Sequence, residues 1–542
     1  MAEAGAASRA TGREGWTVAA AASLLSAVSL LYCAHRHLLL LYGDAVAHLH
    51  IARRVVDSLN PGYHQLGSVW LPLPHILLLP FVLRMDWWQS AVPAAVPSML
   101  CYVAGCVGIY RLARLWLQPA QAAVALAFYS LNPGLLYMQT TAMTEPLFLA
   151  EMIWAALLLA VHARALAAGE QRRAGRALLW AGLVLVGAVY TRYDGWIYGC
   201  FAWLIAAANL WRHRGWFRQR VGGAFVLFTV ILAVAPAIWI AYNACQFGDP
   251  LDFMRGPYSA RAIETRTAVP GSGHYPGWHS MPVASLYFLK AAEGGAAPVV
   301  LGNVLLWLSV AGTVYAAYRW REAAMAAALL LWIPLPFYAY SVAYGSVPIH
   351  IPLWWPHSWY NTRYGMEMLP AFALAAAMLT ALLREAARRR KPQLERWIVP
   401  VMLAAIGLDC AGLALARPLV LQEAFANSET RIPFERSLAK ALLQMPAHRE
   451  ILMYTSAHIG ALQQAGILLR GTTNEGDYYQ WNAALRRPAA PGRVVVAIDG
   501  DPVALAVAAH PEGLRLLRTV CSEGQPCARI YTSAADTSAM GR

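Results

Sequence analysis

Residues 212–241 read RHRGWFRQRVGGAFVLFTVILAVAPAIWIA, a tract carrying Arg212, Arg214, Arg218 and Arg220 that runs into a long segment without a single charge. About twenty apolar residues are what an α-helix needs to cross the hydrocarbon of a bilayer, and the segment meets that length. Outward from it the pattern repeats in both directions. Apolar runs lie near 17–41, 91–115, 119–137, 146–164, 177–191, 196–211, 222–241, 298–318, 323–342, 366–383 and 397–416. The chain of 542 residues is 58% hydrophobic and 13% charged, with a mean hydropathy of +0.43. That is too much apolar surface for a water-soluble protein of this size, so lipid is its solvent.

The formal charge is +14. The basic residues do not form one folded face but fall in short tracts between apolar runs, a pattern of topology that excludes nucleic acid as the partner. The tracts are Arg111/Arg114, Arg164/Arg172/Arg173/Arg176, Arg212/Arg214/Arg218/Arg220, Arg319/Arg321 and Arg384/Arg388/Arg389/Arg390/Lys391. All fall on one side of the alternating spans, which the positive-inside rule makes the cytoplasm. With an odd number of spans, about eleven, the amino terminus is then cytoplasmic and the tail from residue 417 extracytoplasmic. The first apolar run is long and shows no cleavage site behind it, as suits a multi-pass protein of the plasma (inner) membrane rather than a secreted one.

The expected organisation is a cytoplasmic tail at 1–16, a transmembrane domain at 17–416 and an extracytoplasmic α/β domain at 417–542. The fold class is thus an all-α polytopic membrane protein with a small α/β appendage. Three external segments, 42–90, 242–297 and 343–365, are rich in Trp, Tyr, His and Pro. In the first, Trp70-Leu71-Pro72-Leu73-Pro74-His75 and the apolar residues to Val82 are too short to span and predict a helix lying at the interface. In the tail, strand-like runs at 451–455, 494–498 and 528–531 alternate with helix-like runs at 436–444, 458–465 and 502–510. Asp499-Gly500-Asp501 ends a strand and reads as a turn. Five of eight cysteines, Cys33, Cys101, Cys106, Cys200 and Cys410, fall in apolar spans and read as inert. Cys521 and Cys527 bracket a turn-like string between strand-like runs, which suits a disulfide.

Several ionisable residues stand at the external ends of spans, where they are costly enough to be functional candidates. Asp44 and His48, four residues apart, share one face of a helix opening the first external loop; a plain helix cap is the structural alternative for Asp44. Glu145, in Thr144-Glu145-Pro146, opens a later span, where Pro in the first turn and an acid on the positive end of the dipole explain it structurally. Arg192, beside Asp194, and Arg363, beside Tyr364, break the positive-inside pattern. A guanidinium fork there suits a phosphate, while snorkelling or an Arg192–Asp194 pair is the alternative. Asp249, in Phe247-Gly248-Asp249-Pro250-Leu251, is explained by turn chemistry. No zinc-ligand spacing, P-loop or dinucleotide fingerprint is present. No cofactor is required by the sequence; the acids are compatible with a divalent cation without demanding one.

Taken in order, Gly43-Asp44-Ala45 with His48, Trp70-Leu71-Pro72-Leu73-Pro74-His75, Thr144-Glu145-Pro146, Phe247-Gly248-Asp249-Pro250-Leu251 and Arg363-Tyr364 resemble the GT-C fold glycosyltransferases over roughly residues 15–385. The nearest branch is that of protein O-mannosyltransferases and the aminoarabinose transferases of lipid A. The resemblance implies a polyprenyl-phosphate-linked sugar donor and a lipid, glycan or protein acceptor. It gives Asp44 the role of general base, Glu145 a supporting acid's role, and Arg363 and Arg192 the donor phosphate. His48, His75, Asp194, Asp249 and Tyr364 fall to substrate binding. The lysine contact of the aminoarabinose branch is replaced by Trp70-Leu71-Pro72-Leu73, and an acidic metal ligand before it is absent. Neither aminoarabinose specificity nor metal dependence is therefore carried over. Attack on the anomeric carbon opposite a leaving phosphate would invert configuration, and that leaving group needs no second acid. A secondary transporter and a non-catalytic scaffold are the rival readings; a transporter places its polar groups near the midplane rather than at one face.

Overall fold

The computed structural model describes residues 2–213, 220–267, 273–445 and 449–534. Arg214 and Arg218 of the opening tract lie outside the described residues. Among the described residues, nine helices are long and apolar enough to cross a membrane: Gly12–His35, Pro93–Ala113, Glu145–Ala167, Gln171–Thr191, Arg220–Phe247, Leu301–Arg319, Ala323–Tyr344, Thr362–Arg390 and Pro392–Ser428. Two other apolar runs are helical but differ from a clean span. The 119–137 run breaks into Pro119–Ser130 and Pro133–Met138, because Asn132 caps the second piece through a bond from the Leu135 amide and Pro133 cannot continue the first. The 196–211 run is the helix Asp194–Arg212.

The chain divides into two compact units that interleave along the sequence. The first unit, Met1–His35, Ser68–Pro74 and Val96–Glu423, holds the long helices. Its two ends are chemically distinct. At one end Arg164 donates to the Leu115 carbonyl at 2.5 Å and pairs with Glu322 at 2.5 Å, and Arg114 pairs with Glu14 at 3.0 Å. At the other end of the same 23-residue helix stands Glu145, about 30 Å away at 1.5 Å rise per residue. Loops grouped on one side by their arginines thus meet at one end of the bundle. The helix–helix seams use small residues: a Cβ on Gly312 would meet the Ala375 carbonyl oxygen at 2.5 Å, and one on Gly195 the Ala188 oxygen at 2.2 Å. Such close backbone approach is how helices associate where lipid supplies no hydrophobic drive.

The second unit combines Arg36–Gly67, His75–Ala95 and Ala424–Arg542. The interfacial segment of the first loop folds as the short helix Leu73–Leu78 and the 3-10 turn Leu79–Phe81, far below spanning length. The tail builds a five-stranded sheet from β1 (Glu450–Met453), β2 (Thr472–Thr473), β3 (Arg493–Ile498), β4 (Leu514–Ser522) and β5 (Gln525–Ser533), in the order β2-β1-β3-β5-β4. β1, β2 and β3 are mutually parallel, β5 pairs antiparallel to β3, and β4 pairs antiparallel to β5 at the sheet edge. Leu452, Val495, Ala497, Val503 and Val507 form its buried core with the helix Pro502–Ala509. Asp499-Gly500-Asp501 is a turn and cap: Gly500 has φ 87°, and Asp501 accepts from the Ala504 amide at 2.6 Å. Cys521 and Cys527 are bonded across the β4–β5 hairpin.

Candidate active site

In the first unit two arginines and four carboxyl groups meet at one end of the helix bundle. Arg192 follows the helix Gln171–Thr191, Glu145 opens Glu145–Ala167, and Arg363 and Glu367 lie in the 3-10 turn Thr362–Met368 that leads into Leu369–Arg390. Every donor atom of Arg192 is engaged. Its Nη1 reaches Thr144 Oγ1 at 3.0 Å and Glu145 Oε1 at 3.4 Å, its Nη2 donates to the Tyr338 hydroxyl at 2.7 Å, and its Nε faces Asp194 at 3.3 Å and Glu367 at 3.2 Å. Arg363 pairs through Nε with Glu145 Oε1 at 3.1 Å and through Nη1 with Glu423 at 3.3 Å. The Tyr338 hydroxyl lies 2.7 Å from Glu367 Oε1 and 3.1 Å from Asp194 Oδ2.

The Tyr364 ring contacts both cations, its centroid 5.0 Å from each guanidinium carbon, and stacks on Tyr338 at 4.9 Å. Such an arrangement holds like charges near one another by offering both the negative face of one ring. Glu423 does more than pair. It accepts from the Asn361 amide at 2.8 Å, the Thr362 amide at 2.9 Å and the Thr362 hydroxyl at 2.5 Å, so a carboxylate caps the positive end of the 362–390 helix. Burial makes the cluster demanding: Glu145 and Glu367 are fully buried, and each leaves its Oε2 without a hydrogen bond among the described residues. Charges removed from water persist only when paired.

Of the residues singled out from the sequence, Glu145, Arg192, Asp194, Arg363 and Tyr364 are brought together here. Thr144 does not cap the 145–167 helix through its side chain but takes a bond from Arg192 instead. Asp249 has local contacts: it accepts from the Leu251 amide at 2.9 Å and faces Arg255 at 4.0 Å, which is turn chemistry. Asp44, His48 and His75 lie in the second unit. Asp44 is in the first turn of the helix Gly43–Val56, whose cap is Tyr42, so it is not itself the N-cap. His48 Nδ1 lies 2.8 Å from His75 Nε2, and both rings are buried. At that distance one imidazole donates and the other accepts. Tyr338, Glu367 and Glu423 escaped the sequence reading, although Glu367 is an acid inside an apolar run, which is a signal in itself. Among the described residues no group of three His, Cys, Asp or Glu is placed to hold a metal ion.

Residues 81–240 match the family of dolichyl-phosphate-mannose-protein mannosyltransferases. Among solved structures, ArnT from Cupriavidus metallidurans bound to undecaprenyl phosphate aligns over 95% of this chain and 98% of its own, with a TM-score of 0.58 and 13% identity. The apo state of the same protein aligns over 90% and 93%, with a TM-score of 0.53 and 12% identity. No curated protein sequence matches the chain. The aligned fold gives this polytopic membrane protein the GT-C architecture, and the matched segment is similar to a mannosyltransferase family; both agree with the resemblance read from the sequence.

Proposed function

We propose that the protein moves a sugar from a polyprenyl-phosphate donor to an extracytoplasmic hydroxyl or amine, with inversion at the anomeric carbon. The observation that carries the reading is the pair Arg192 and Arg363 beside Tyr364, one half-buried and one buried guanidinium at the end of the bundle opposite the basic loops. ArnT, whose fold the chain shares, is bound to undecaprenyl phosphate in its structure. In this reading a phosphate reaches the arginines by exchanging with their carboxylate partners. The exchange is favoured as negative charge grows on the leaving phosphate, which is when stabilisation accelerates the reaction. Glu145 holds the two cations in place between turnovers.

Asp44 is the proposed general base that takes the acceptor's proton as it attacks. Its carboxyl is half-buried in the first turn of its helix and shares a face with His48. The donor and acceptor sides belong to the extracytoplasmic face of the inner membrane, with the amino terminus in the cytoplasm and the tail outside. The test is comparative mass spectrometry of glycans and lipids from cells lacking the protein, followed by complementation. Asp44→Asn is expected to restore no product while inserting at the wild-type level. Restoration of the product by that variant removes Asp44 from the mechanism.

A further inference from the structure

In α/β units the crevice at the carboxyl ends of parallel strands is where a ligand sits. Here that crevice is filled by the chain's own first loop. Beyond β1, Thr455 donates from its amide and hydroxyl to Glu475 at 2.8 and 2.9 Å, and its hydroxyl meets His50 Nε2 at 3.4 Å. Beyond β2, Gly476 lies against Arg54 and Gln65 so closely that an added Cβ would meet Arg54 Nη1 at 3.1 Å and Gln65 Oε1 at 2.9 Å. Further along the same helix, Asp57 accepts from Arg470 Nε at 3.0 Å and from Arg53 Nε at 2.9 Å. His50 and Asp57 are buried polar groups of the first loop whose partners include Thr455, the Leu469 amide and Arg470 of the tail, so the tail satisfies polar groups that the loop buries.

One contact falls where the helix begins. Arg431 donates through Nη2 to the carbonyls of Leu40 and Leu41, at 2.9 and 3.0 Å, and through Nη1 to Glu435 at 2.8 Å. Those carbonyls immediately precede Tyr42, the cap of the Gly43–Val56 helix. Glu435 is in turn wedged against Gly460, where a Cβ would meet its Oε2 at 2.1 Å, so the carboxylate that aims Arg431 is itself fixed. We infer that the carboxy-terminal α/β fold is a seat for the 43–56 helix, and that Arg431 is the positioning residue that sets the placement of Asp44. The inference rests on Asp44 being the base only in its catalytic consequence; the placement itself is independent of that reading. A charge-assisted fork to two carbonyls fixes direction as an apolar contact does not.

The experiment uses the full-length protein in detergent, with the exposed Cys200 and Cys245 replaced by serine and Asp44→Cys as a reporter. The reaction rate of this thiol with a charged maleimide reads the placement of residue 44. Arg431→Gln is expected to change that rate at least about fivefold, and Arg431→Lys to recover most of it, since loss of charge-assisted bonds of this kind is felt at that scale. Glu435→Gln keeps Arg431 and removes only its ion partner, and shifts the rate in the same direction by less. In cells carrying Asp44, Arg431→Gln lowers the product at unchanged protein level, and adds nothing further to Asp44→Asn. A labelling rate unchanged in Arg431→Gln, or in Glu435→Gln should the former not accumulate, overturns the inference. Product retained by Asp44→Asn instead overturns the base assignment and leaves the labelling to decide the seat.

Discussion

Arg192 and Arg363 meet on a single oxygen, Glu145 Oε1, at 3.4 and 3.1 Å. Neither cation is therefore independent of the other, although they are far apart in sequence and come from different helices. Removing Arg192 strips Asp194 and Glu367 of the cation they face in the described structure. Arg192→Leu is expected to lower stability by about 3–5 kcal/mol, the usual cost of leaving buried charge unpaired. Thermal unfolding in detergent checks it, and a loss below about 1 kcal/mol would mean that the acids find other partners. Combined with Arg363→Gln the effects should depart from additivity by about 0.5–3 kcal/mol, because the two share Glu145.

Gly365 sits between Tyr364 and Glu367 on the turn that presents Arg363. A Cβ there would lie 2.4 Å from the Ala291 carbonyl carbon and the Ala292 amide nitrogen, both backbone atoms of the helix Met281–Ala296. Gly365→Ala is expected to cost about 1–3 kcal/mol through overpacking and to lower product formation, since the strained turn carries Arg363. Product at the wild-type level with an unshifted melting point would show that the two helices separate without consequence.

His458 responds to acid. Burial, with Arg431 nearby, pushes its ring down to about 4. The unfolded ring takes a proton near 6.5 while the folded one resists, so between those values the unfolded state binds more protons and stability falls as pH falls. From pH 7 to pH 5 the loss from this one group is about 2 kcal/mol. Asp477 and Asp501, pushed up by burial to about 6, act in the opposite sense, gaining stability as they protonate. Comparison with His458→Gln isolates the histidine: the variant's melting point should be less acid-sensitive than the wild type's. Parallel pH profiles would remove His458 from the account.

Cys521 and Cys527 close a loop of sequence separation six. In the chain-entropy picture a loop that short stabilises by about 2 kcal/mol. The Cys521→Ser/Cys527→Ser double variant, or reductant on the wild type, should lower the unfolding midpoint of the tail unit. An unmoved midpoint would assign the hairpin's stability to its strand pairing alone.

Spans and tail were legible in the sequence because their signals are local. Apolar runs announce helices by length, and the alternation of runs in the tail announced β1, β3 and β5. β2 was missed because two residues make no pattern, and β4 because its leucines and arginines face outward. Arg192, Arg363 and Glu145 were visible as charges in the wrong place for a membrane protein. Tyr338 was not, since a tyrosine in an apolar span looks like any other aromatic until its hydroxyl is seen between a guanidinium and two carboxyls. Glu423 was hidden by its place in a segment read as tail, where an acid is unremarkable by composition. The sharing of Glu145 between two arginines is a relation across helices, and no periodicity along one helix encodes it.

Residues 36–67 and 75–95 fold together with segments beyond residue 424, which sets an order of events during synthesis. The first loop leaves the ribosome more than 300 residues before Thr455 and Glu475. At roughly 5–20 residues per second its helix waits tens of seconds for the groups that satisfy His50 and Asp57. A chain stopped between Ser428 and Thr455 would keep its apolar helices and yet strand those buried polar groups. Shortening the tail is for this reason not the removal of an appendage; it unmakes a loop near the opposite terminus.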